Sequence, residues 1–365
     1  MASSKQTAIN NLLNSDLLKF FKGKKVLVTG HTGFKGSWLS LILIDAGAKV
    51  AGYALSPSDV SHFNLLGIEN LMLSENGDIR DKQHLNEFVT KFQPDIVFHL
   101  AAQSLVGESY KNPLETFEIN VIGSVNLLEV VRHTKSVRSL VFVTSDKCYE
   151  NNEWVWGYRE NDRLGGVDPY SASKASAELV FNSYVKSFLN LSSDLFAASA
   201  RAGNVIGGGD WSIGRIIPDC LRSIENLHPI QVRNPNSTRP WQHVLEPISG
   251  YLLLALQLFN KKIPNFEAWN FGPKSSEVIT VGQLVTTFHK IMGVGSYELI
   301  NSRNSKYEAG LLQLNCDKAN SVLGWKPKWD GERAISETAD WYKAYLAGKN
   351  IINVSRSQIG NYFVG

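Results

Sequence analysis

The chain has 365 residues and a formal net charge of +3, with 43% apolar and 19% charged residues. This composition is typical of a soluble globular protein and excludes a disordered or membrane-embedded chain. The positive charge is small and scattered along the sequence, so we expect no nucleic-acid partner.

Residues 1–23 form an N-terminal extension whose run at 10–18 contains polar and charged residues. A secretory signal needs a continuous apolar core at this point, so we predict a short leading helix instead. The most apolar stretches, at 38–44 and 251–259, are shorter than the roughly 20 residues of a membrane span. We therefore predict no transmembrane segment and no membrane partner.

Between residue 24 and about residue 200, short β-rich runs alternate with longer helical patterns. The predicted strands cover residues 25–29, 49–54, 70–74, 96–100, 139–144 and 195–200, and helical patterns begin near residues 34, 81, 114 and 171. This alternation is typical of a parallel sheet with helices on both faces. The predicted fold class is α/β, with a Rossmann-type doubly wound parallel sheet.

The composition changes after Arg201, where glycine, proline, tryptophan and arginine become frequent up to residue 241. We expect a smaller mixed α/β substrate lobe from about 204–240 plus 275–365, with helical patterns at 281–292 and 333–346. The dinucleotide-binding domain then comprises 24–203 plus about 241–274, and residues 268–272 return to the sheet as a strand.

A glycine-rich turn with Gly30, Gly33 and Gly36 follows the first predicted strand. Gly30 permits the tight turn, Gly33 lets the backbone approach a pyrophosphate, and Gly36 lets the next helix pack closely on the strand. The other residues of this turn expected to contact the cofactor are Thr32, Phe34 and Lys35. The spacing is G-x-x-G-x-x-G rather than G-x-G-x-x-G, so an ordinary strand–turn–helix is the alternative to a dinucleotide site.

A tyrosine and a lysine lie one helical turn apart at Tyr170 and Lys174. We expect the ammonium of Lys174 to lower the pKa of Tyr170 and to make the phenol a base toward a substrate hydroxyl. Ser145 ends a strand about 25 residues upstream, where its hydroxyl can share the substrate oxygen. Taken singly, the three residues also fit a satisfied buried tyrosine, a solvated lysine and a helix-capping serine.

These motifs, together with Asp78 and the turn at Ala101 and Ala102, resemble the extended short-chain dehydrogenase/reductase family. Members bind NAD or NADP, and many modify nucleotide sugars. The resemblance implies that Asp78 and Ile79 lie at the adenine edge and that Ala101, Ala102 and Gln103 lie beside the cofactor phosphates and ribose. A local turn role is the alternative for Asp78, since aspartate is favoured in turns.

The choice between NAD and NADP depends on the resemblance. Folds selective for NAD place an acidic residue after the second strand, whereas residues 53–56 here are Tyr-Ala-Leu-Ser. Two basic side chains, His31 and Lys35, also lie in the glycine turn. We expect NAD because of the resemblance, and the residues alone leave NADP open.

Asp146 and Lys147 add two titratable groups that a single oxidation step does not need. Removing water across C5 and C6 of a hexose requires a base for the C5 proton and an acid for the departing O6, and we assign these roles to Lys147 and Asp146. Nucleotide-sugar 4,6-dehydratases have Asp then Glu here. The Asp–Lys pair, with the blocks at 30–38, 144–149, 153–160 and 201–211, resembles the branch that acts on CDP-glucose. A surface ion pair is the alternative.

For the sugar nucleotide, the resemblance implies contacts to the pyrophosphate and base from Asn204, Arg215, Arg239 and His243. Arginine suits this role because its fork binds phosphate oxygens, and a surface charge is the alternative for either arginine. The expected substrate is CDP-glucose, converted to its 4-keto-6-deoxy product for deoxysugar and O-antigen synthesis. The alternatives are another nucleotide-glucose, a nucleotide-sugar 4-epimerase, or a non-catalytic NAD(P)-binding scaffold.

Three further expectations concern the protein as a whole. By analogy, a homodimer forms through the helices at 114–132 and 171–188, whose apolar stripes otherwise belong to the core. Cys148, Cys220 and Cys316 are odd in number and far apart, which fits a reducing cytoplasm without a disulfide framework. We interpret His99 as a packed core histidine and expect no metal site.

Overall fold

The computed structural model describes residues 15–189, 194–232, 234–274, 278–299 and 311–364. Within them the strands are β1 (Lys25–Thr29), β2 (Lys49–Ala54), β3 (Leu73–Asn76), β4 (Ile96–His99), β5 (Ser139–Val143), β6 (Phe196–Ala202), β7 (Val205–Ile206), β8 (Ile230–Val232), β9 (Thr238–Arg239), β10 (Gln242–His243), β11 (Ala268–Phe271), β12 (Ile279–Thr280) and β13 (Tyr297–Leu299). The helices are α1 (Asp16–Lys19), α2 (Phe34–Asp45), α3 (His62–Leu66), α4 (Lys82–Phe92), α5 (Val106–Lys111), α6 (Pro113–Phe117), α7 (Gly123–His133), α8 (Pro169–Ser187), α9 (Ile216–Glu225), α10 (Leu245–Phe259), α11 (Val281–Met292), α12 (Gly331–Leu346) and α13 (Ile351–Val364). The first part of the predicted leading helix, up to residue 14, lies outside the described residues.

Seven strands pair in one parallel sheet, in the order β11-β6-β5-β4-β1-β2-β3. Its central strands are rich in Val, Ile, Leu and Phe and are buried along nearly their whole length, as expected for a sheet covered on both faces. Side chains alternate along β1, so that Val26 and Val28 join one apolar cluster and Leu27 joins the other. The predicted fold class and the return of residues 268–271 to the sheet are confirmed.

The strand order reverses at β1 and β4, which are neighbours in the sheet although β2 and β3 separate them in the chain. Connections on the two sides of this point lead away in opposite directions. In open α/β sheets, such a reversal leaves a crevice beyond the carboxyl ends of the strands, where ligands bind. The loops after β1, β4 and β5 are therefore the places to seek a site.

Several predicted boundaries are wrong for local reasons. The third strand begins at Leu73 rather than at residue 70, because Glu69–Leu71 form a 3-10 turn. The helix predicted at 114–132 is divided into α6, a π-helical turn (Glu118–Ile122) and α7. Helix α8, which carries Tyr170 and Lys174, begins two residues earlier than predicted. Asp168 caps it by accepting a hydrogen bond from the Ser171 N–H, and Pro169 suits the first helical position.

After β6, short strands of the described residues pair in two-stranded sheets. β7 pairs with β10 and β8 pairs with β13 in parallel, whereas β9 pairs with β12 in the antiparallel sense. Helix α11 begins with a capping box in which Thr280 and Gln283 satisfy each other's backbone N–H groups. These mixed pairings suit a mixed α/β lobe, and the division into domains stays a prediction.

The last helix, α13, is an element that the sequence analysis does not predict. Arg356 on α13 forms an ion pair of 2.7 Å with Asp45 on α2. The hydroxyl of Ser355 lies 3.2 Å from Nε2 of His62 on α3. These contacts attach α13 to the helices that follow β1 and β2. In the part of the chain that the structure describes, no helix is long and apolar enough to cross a membrane.

Candidate active site

The glycine turn after β1 has a backbone geometry that requires glycine. Gly30 has a φ of +75°, and a Cβ there would lie 2.7 Å from the Ala101 nitrogen. A Cβ on Gly36 would lie 2.1 Å from the Gly30 carbonyl oxygen, so only glycine allows α2 to begin this close to the strand. Gly33 is the N-cap of α2. The N-terminus of this helix, with its free N–H groups, is suited to a pyrophosphate.

Two hydroxyl groups attach neighbouring loops to this turn. Oγ1 of Thr29 lies 2.7 Å from Nδ1 of His99 and accepts a hydrogen bond of 3.3 Å from the Ala101 N–H. The ends of β1 and β4 are thereby joined, and the interpretation of His99 as a buried core residue is confirmed. Thr32 donates a hydrogen bond of 2.9 Å to the Leu55 carbonyl in the loop after β2.

The residues predicted to contact the adenosine half of the cofactor lie along the same edge of the sheet. Asp78 accepts hydrogen bonds from the Arg80 guanidinium at 2.6 Å and 3.0 Å, and Arg80 also reaches Glu118. The Gln103 N–H donates to Oδ1 of Asn120 at 2.8 Å, which fixes the loop after β4 against the π-helical turn. The roles of Asp78, Ile79, Ala102 and Gln103 stay predictions.

The side chain of His31 points into the protein and not toward the surface of the glycine turn. Its ring is fully buried beside Gly52 on β2, where a Cβ would lie 2.2 Å from the imidazole. Nε2 of His31 lies 2.8 Å from the Ser74 hydroxyl on β3. Burial lowers the pKa of His31 to about 4, so the ring is neutral near pH 7. This basic residue of the turn therefore supplies no positive charge for a 2′-phosphate.

A cavity of 990 Å³ lies beyond the carboxyl end of β5 and brings together most of the predicted catalytic residues. Its wall includes Ser145, Asp146 and Lys147 from the turn after β5 and Tyr170 from the first turn of α8. Lys174 follows one turn later on α8 and is 6% exposed. Ser145 also caps the short helix at 146–148 by accepting a hydrogen bond of 3.2 Å from the Lys147 N–H.

Asp146 has one satisfied and one free carboxylate oxygen. The Ser145 hydroxyl donates a hydrogen bond of 3.0 Å to Oδ1, whereas Oδ2 is buried and finds no hydrogen-bond partner among the described residues. A Cβ on Gly203 would lie 3.1 Å from Oδ2, so glycine keeps space open beside this oxygen. Burial raises the pKa of Asp146 above its usual value, against the opposing effects of Lys147 and Ser145. Such a carboxyl group is suited to act as an acid.

The electrostatics of Tyr170 differ from the prediction. Burial raises the pKa of Tyr170 to about 12, and a hydrogen bond with Ser145 opposes the increase. Burial and the nearby charge of Lys35 lower the pKa of Lys174 to about 8. The net lowering expected for the pKa of Tyr170 is therefore not found, because removal of the phenol from water outweighs the groups that favour phenolate. Ser145 is the neighbour that favours phenolate most.

Lys35 is a cavity residue that the sequence analysis assigns to the cofactor alone. It follows Gly33 by two positions, and its side chain lines the same cavity as Asp146 and Arg215. Burial, followed by the charge of Arg215, lowers the pKa of Lys35 to about 8, and Asp146 acts in the opposite direction. Lys35 is the second residue of α2, and its place in the glycine turn gives no sign that its charge acts on Asp146.

Three of the four predicted sugar-nucleotide residues line the cavity, namely Asn204, Arg215 and Arg239. Arg215 forms an ion pair of 2.9 Å with Asp210 and donates a hydrogen bond of 3.1 Å to Ser104. His243 does not lie in the cavity wall. It is fully buried with its ring 4.9 Å from that of Trp329, because the pairing of β10 with β7 directs it into the core. The expectation that His243 contacts the substrate is not supported.

A Rossmann-type sheet with a glycine turn, and a serine and a Tyr-x-x-x-Lys pair at one cavity, define an extended short-chain dehydrogenase/reductase. Comparison with known families narrows this class. Residues 27–338 match the family described as GDP-mannose 4,6 dehydratase. The chain therefore belongs to the GDP-mannose 4,6-dehydratase family, and the predicted resemblance is confirmed.

Individual relatives are also found. The chain is 48% identical to the CDP-glucose 4,6-dehydratase of Salmonella typhimurium over 94% of this chain and 97% of that protein. It is 28% identical to the UDP-glucose 4-epimerase of Halalkalibacterium halodurans over 90% of this chain and 98% of that protein. Among solved structures, a dTDP-glucose 4,6-dehydratase from Bacillus anthracis in complex with NAD has a TM-score of 0.76 at 21% identity, over 90% of this chain and 100% of that one. At that identity the likeness concerns the fold.

Proposed function

We propose that this protein is an NAD-dependent 4,6-dehydratase that converts CDP-glucose to CDP-4-keto-6-deoxyglucose and water. The observation that carries the proposal is the buried Asp146, which lines the cavity together with Ser145 and Tyr170 and whose Oδ2 has no hydrogen-bond partner among the described residues. A 4-epimerase does not need an acid at this place, whereas elimination of water does. The relative with 48% identity, over nearly its whole length, is named CDP-glucose 4,6-dehydratase.

The residues of the glycine turn fit NAD. Gly30 and Gly36 approach the backbone so closely that any Cβ would clash, which leaves the N-terminus of α2 open to a pyrophosphate. Both basic residues that left NADP open are directed elsewhere, since His31 is neutral and bonded to Ser74 and Lys35 lines the catalytic cavity. When bound, NAD supplies oxidation at C4 of the sugar and reduction at C6.

The side chains of the cavity divide the proton transfers among them. Tyr170, hydrogen-bonded to Ser145, takes the proton of the 4-hydroxyl when C4 is oxidised. Lys147 takes the proton from C5, which the 4-keto group has made acidic. The electron pair of that C–H bond forms C5=C6 as the C6–O6 bond breaks, and Asp146 gives its proton to O6, which leaves as water. Lys147 then returns its proton to C5 as C6 is reduced.

The Ser145 hydroxyl passes a proton from Tyr170 to Asp146 at the end of the cycle. After the elimination Tyr170 holds the proton from O4 and Asp146 lacks one. The Ser145 hydroxyl donates a hydrogen bond of 3.0 Å to Oδ1 of Asp146 and lies close enough to the Tyr170 phenol to favour its ionised form. A proton passed along this path restores both residues. The water that leaves thus carries the proton lost from O4, and the cycle needs none from solvent.

On the substrate side, positively charged groups converge on the wall of the cavity. Arg215 and Arg239 belong to the segments that lead into the second lobe, and Asn204 lines the same cavity. Two guanidinium groups in one cavity suit the two phosphates of a nucleoside diphosphate sugar. We infer that these three residues hold the diphosphate, and that Lys35 adds a further positive charge beside it.

We also infer that the protein is a cytoplasmic homodimer. Helix α6, the π-helical turn that follows it and helix α8 pack together and leave large apolar side chains in water, namely Leu114, Ile122 and Leu179, which are 73%, 52% and 60% exposed. Exposed apolar groups on adjoining elements mark protein interfaces. Sedimentation of Leu179→Glu as a monomer, with the wild type as a dimer, supports this interface, and a monomeric wild type contradicts it.

The product is expected to serve deoxysugar and O-antigen synthesis.

The proposal is tested by incubating the protein with CDP-, dTDP-, UDP- and GDP-glucose and following the 4-keto-6-deoxy product by its absorbance in alkali. Conversion of CDP-glucose alone is the expected result. Formation of a C4 epimer without alkaline absorbance identifies the epimerase alternative instead. Absence of any conversion, with NAD bound but never reduced by a sugar nucleotide, identifies the scaffold.

A further inference from the structure

A buried carboxylate lies one helical turn beyond the catalytic lysine. Tyr170, Lys174 and Glu178 are spaced by four residues on α8 and therefore share one face of the helix. Glu178 has no exposed surface. A glutamate is buried to this degree in proteins when it is paired and hydrogen-bonded, so the groups that contact it indicate its role.

Four donors saturate the two oxygens of Glu178. Arg201 on β6 donates from Nε to Oε1 at 2.9 Å and from Nη2 to Oε2 at 2.8 Å. Thr144 donates its hydroxyl to Oε1, and Ser199 donates to Oε2 at 2.9 Å. Burial alone would raise the pKa of Glu178, but the charge of Arg201 and these hydrogen bonds hold it below its usual value. Glu178 is therefore an anion.

One of these donors connects Glu178 to the catalytic turn. Thr144 is the residue immediately before Ser145. Its hydroxyl donates a hydrogen bond to Glu178, which lies on the same helix as Tyr170. The same contact thus links the serine–aspartate turn to the tyrosine helix. On the far side, Arg201 donates from Nη1 to the Tyr149 hydroxyl at 2.8 Å, which holds the other end of the turn.

The charge of Glu178 also acts on Lys174. The titratable groups around Lys174 come from four elements, namely Lys35 of α2, His99 of β4, Cys148 of the short helix after β5, and Glu178 of α8. Burial lowers the pKa of His99 to about 3 and raises that of the Cys148 thiol, so both are neutral near pH 7. Lys35 and Glu178 remain as the charges, and they act on Lys174 in opposite directions, Lys35 lowering its pKa and Glu178 raising it.

We propose that Glu178 is a positioning residue of the active site, which holds the Thr144–Ser145 turn against α8 and keeps Lys174 protonated. The proposal rests on the proposed function for its consequence in turnover, but the protonation of Lys174 is measurable without a substrate. Burial and the charge of Lys35 lower the pKa of Lys174, and the Glu178 carboxylate raises it. Loss of the carboxylate should therefore lower the pKa of Lys174 further.

The test is an NMR titration of the protein with ¹³Cε-labelled lysine and its bound dinucleotide, in which Lys174→Arg assigns the Lys174 signal. The wild type should titrate with a midpoint of about 8, and Glu178→Gln about one pH unit lower. Ser199→Ala is the matched control, because it removes one hydrogen bond from the same carboxylate and leaves its charge. Its midpoint should equal that of the wild type.

The kinetic readout is the alkaline limb of kcat against pH with CDP-glucose, which should move to lower pH in Glu178→Gln by the same amount. Because Glu178→Gln leaves the buried Arg201 without a counter-charge, the double variant Glu178→Leu with Arg201→Met provides an apolar replacement of the pair, which proteins often tolerate. It should fold and titrate at the same lowered midpoint.

An unchanged Lys174 midpoint in either folded variant overturns the proposal. Failure of both variants to fold also overturns it, since Glu178 is then a folding element rather than a positioning residue. If the wild type does not convert CDP-glucose while the midpoint still moves, the proposed substrate is wrong and the role of Glu178 stands.

Discussion

The hydroxyl of Ser145 donates a hydrogen bond of 3.0 Å to Oδ1 of Asp146, while the other oxygen of that carboxylate is buried in the cavity wall beside Gly203. The same serine favours the ionised form of Tyr170. In the proposed mechanism, this side chain connects the group that receives a proton from the sugar with the group that gives one back.

Asp146→Asn should allow oxidation of the sugar at C4 and prevent the elimination, because an amide has no proton to give to O6. We expect reduced cofactor to accumulate after substrate is added, with a fall in kcat of about 10²–10⁴-fold. The absorbance of reduced nicotinamide at 340 nm in a stopped-flow experiment measures the first effect. Asp162→Asn, at a surface ion pair with Arg159, is the control. Full turnover in Asp146→Asn contradicts the assignment.

Ser145→Ala should slow the reaction about 100-fold, because it removes the hydroxyl that favours the Tyr170 phenolate and links it to Asp146. Without this hydrogen bond the pKa of Tyr170 rises further, so the remaining activity should increase toward higher pH. Ser145→Thr keeps the hydroxyl and should retain most of the rate. A pH profile of kcat for the two variants decides the matter, and equal rates in Ser145→Ala and the wild type exclude the proposed role.

Lys35, Lys111 and Lys147 line the cavity, and the proposed mechanism assigns the C5 proton to Lys147. In deuterated water, Lys147→Ala should lose incorporation of deuterium at C5, because no base remains to remove that proton. Lys35→Ala should keep the incorporation and bind substrate more weakly. The measurement is mass spectrometry of recovered substrate and product. Loss of exchange in Lys35→Ala, with normal exchange in Lys147→Ala, reverses the two roles.

The stability of the protein should depend on pH through Lys35. Its pKa is lowered from 10.5 to about 8 in the folded protein, so between these values the unfolded chain binds more protons and stability rises with pH. Lys35→Met should flatten this rise and stabilise the protein by about 1–3 kcal/mol at pH 7. Urea unfolding at pH 7 and pH 9.5 tests this, with the exposed Lys111→Met as control. A less stable Lys35→Met at pH 7 contradicts it.

Much of the fold and site follows from short sequence segments. The glycine spacing, the strand alternation and the four-residue spacing of Tyr170 and Lys174 are local, so the sequence predicts them without knowledge of the tertiary structure. The features that it misses depend on contacts between distant segments. His243 is buried because β10 pairs with β7, and Glu178 meets Arg201 because β6 lies beside α8. The helix α13 has no strong apolar face, and its position depends on Asp45 of α2.

The same distinction applies to the pKa values. The sequence places an ammonium near a phenol and thus predicts a lowered pKa for Tyr170. Whether water reaches the pair is a property of the whole cavity, and its exclusion raises the pKa of Tyr170 instead. Only the folded cavity also reveals that Lys35 lies near Asp146.

The most direct test of the central claim uses CDP-glucose with deuterium at C4. A 4,6-dehydratase moves this atom within one molecule, so the account predicts a 4-keto-6-deoxy product that carries the deuterium at C6 and has lost one water. NMR and mass spectrometry of the product detect both changes. Recovery of a C4 epimer with deuterium still at C4, or of unchanged CDP-glucose, would contradict the account.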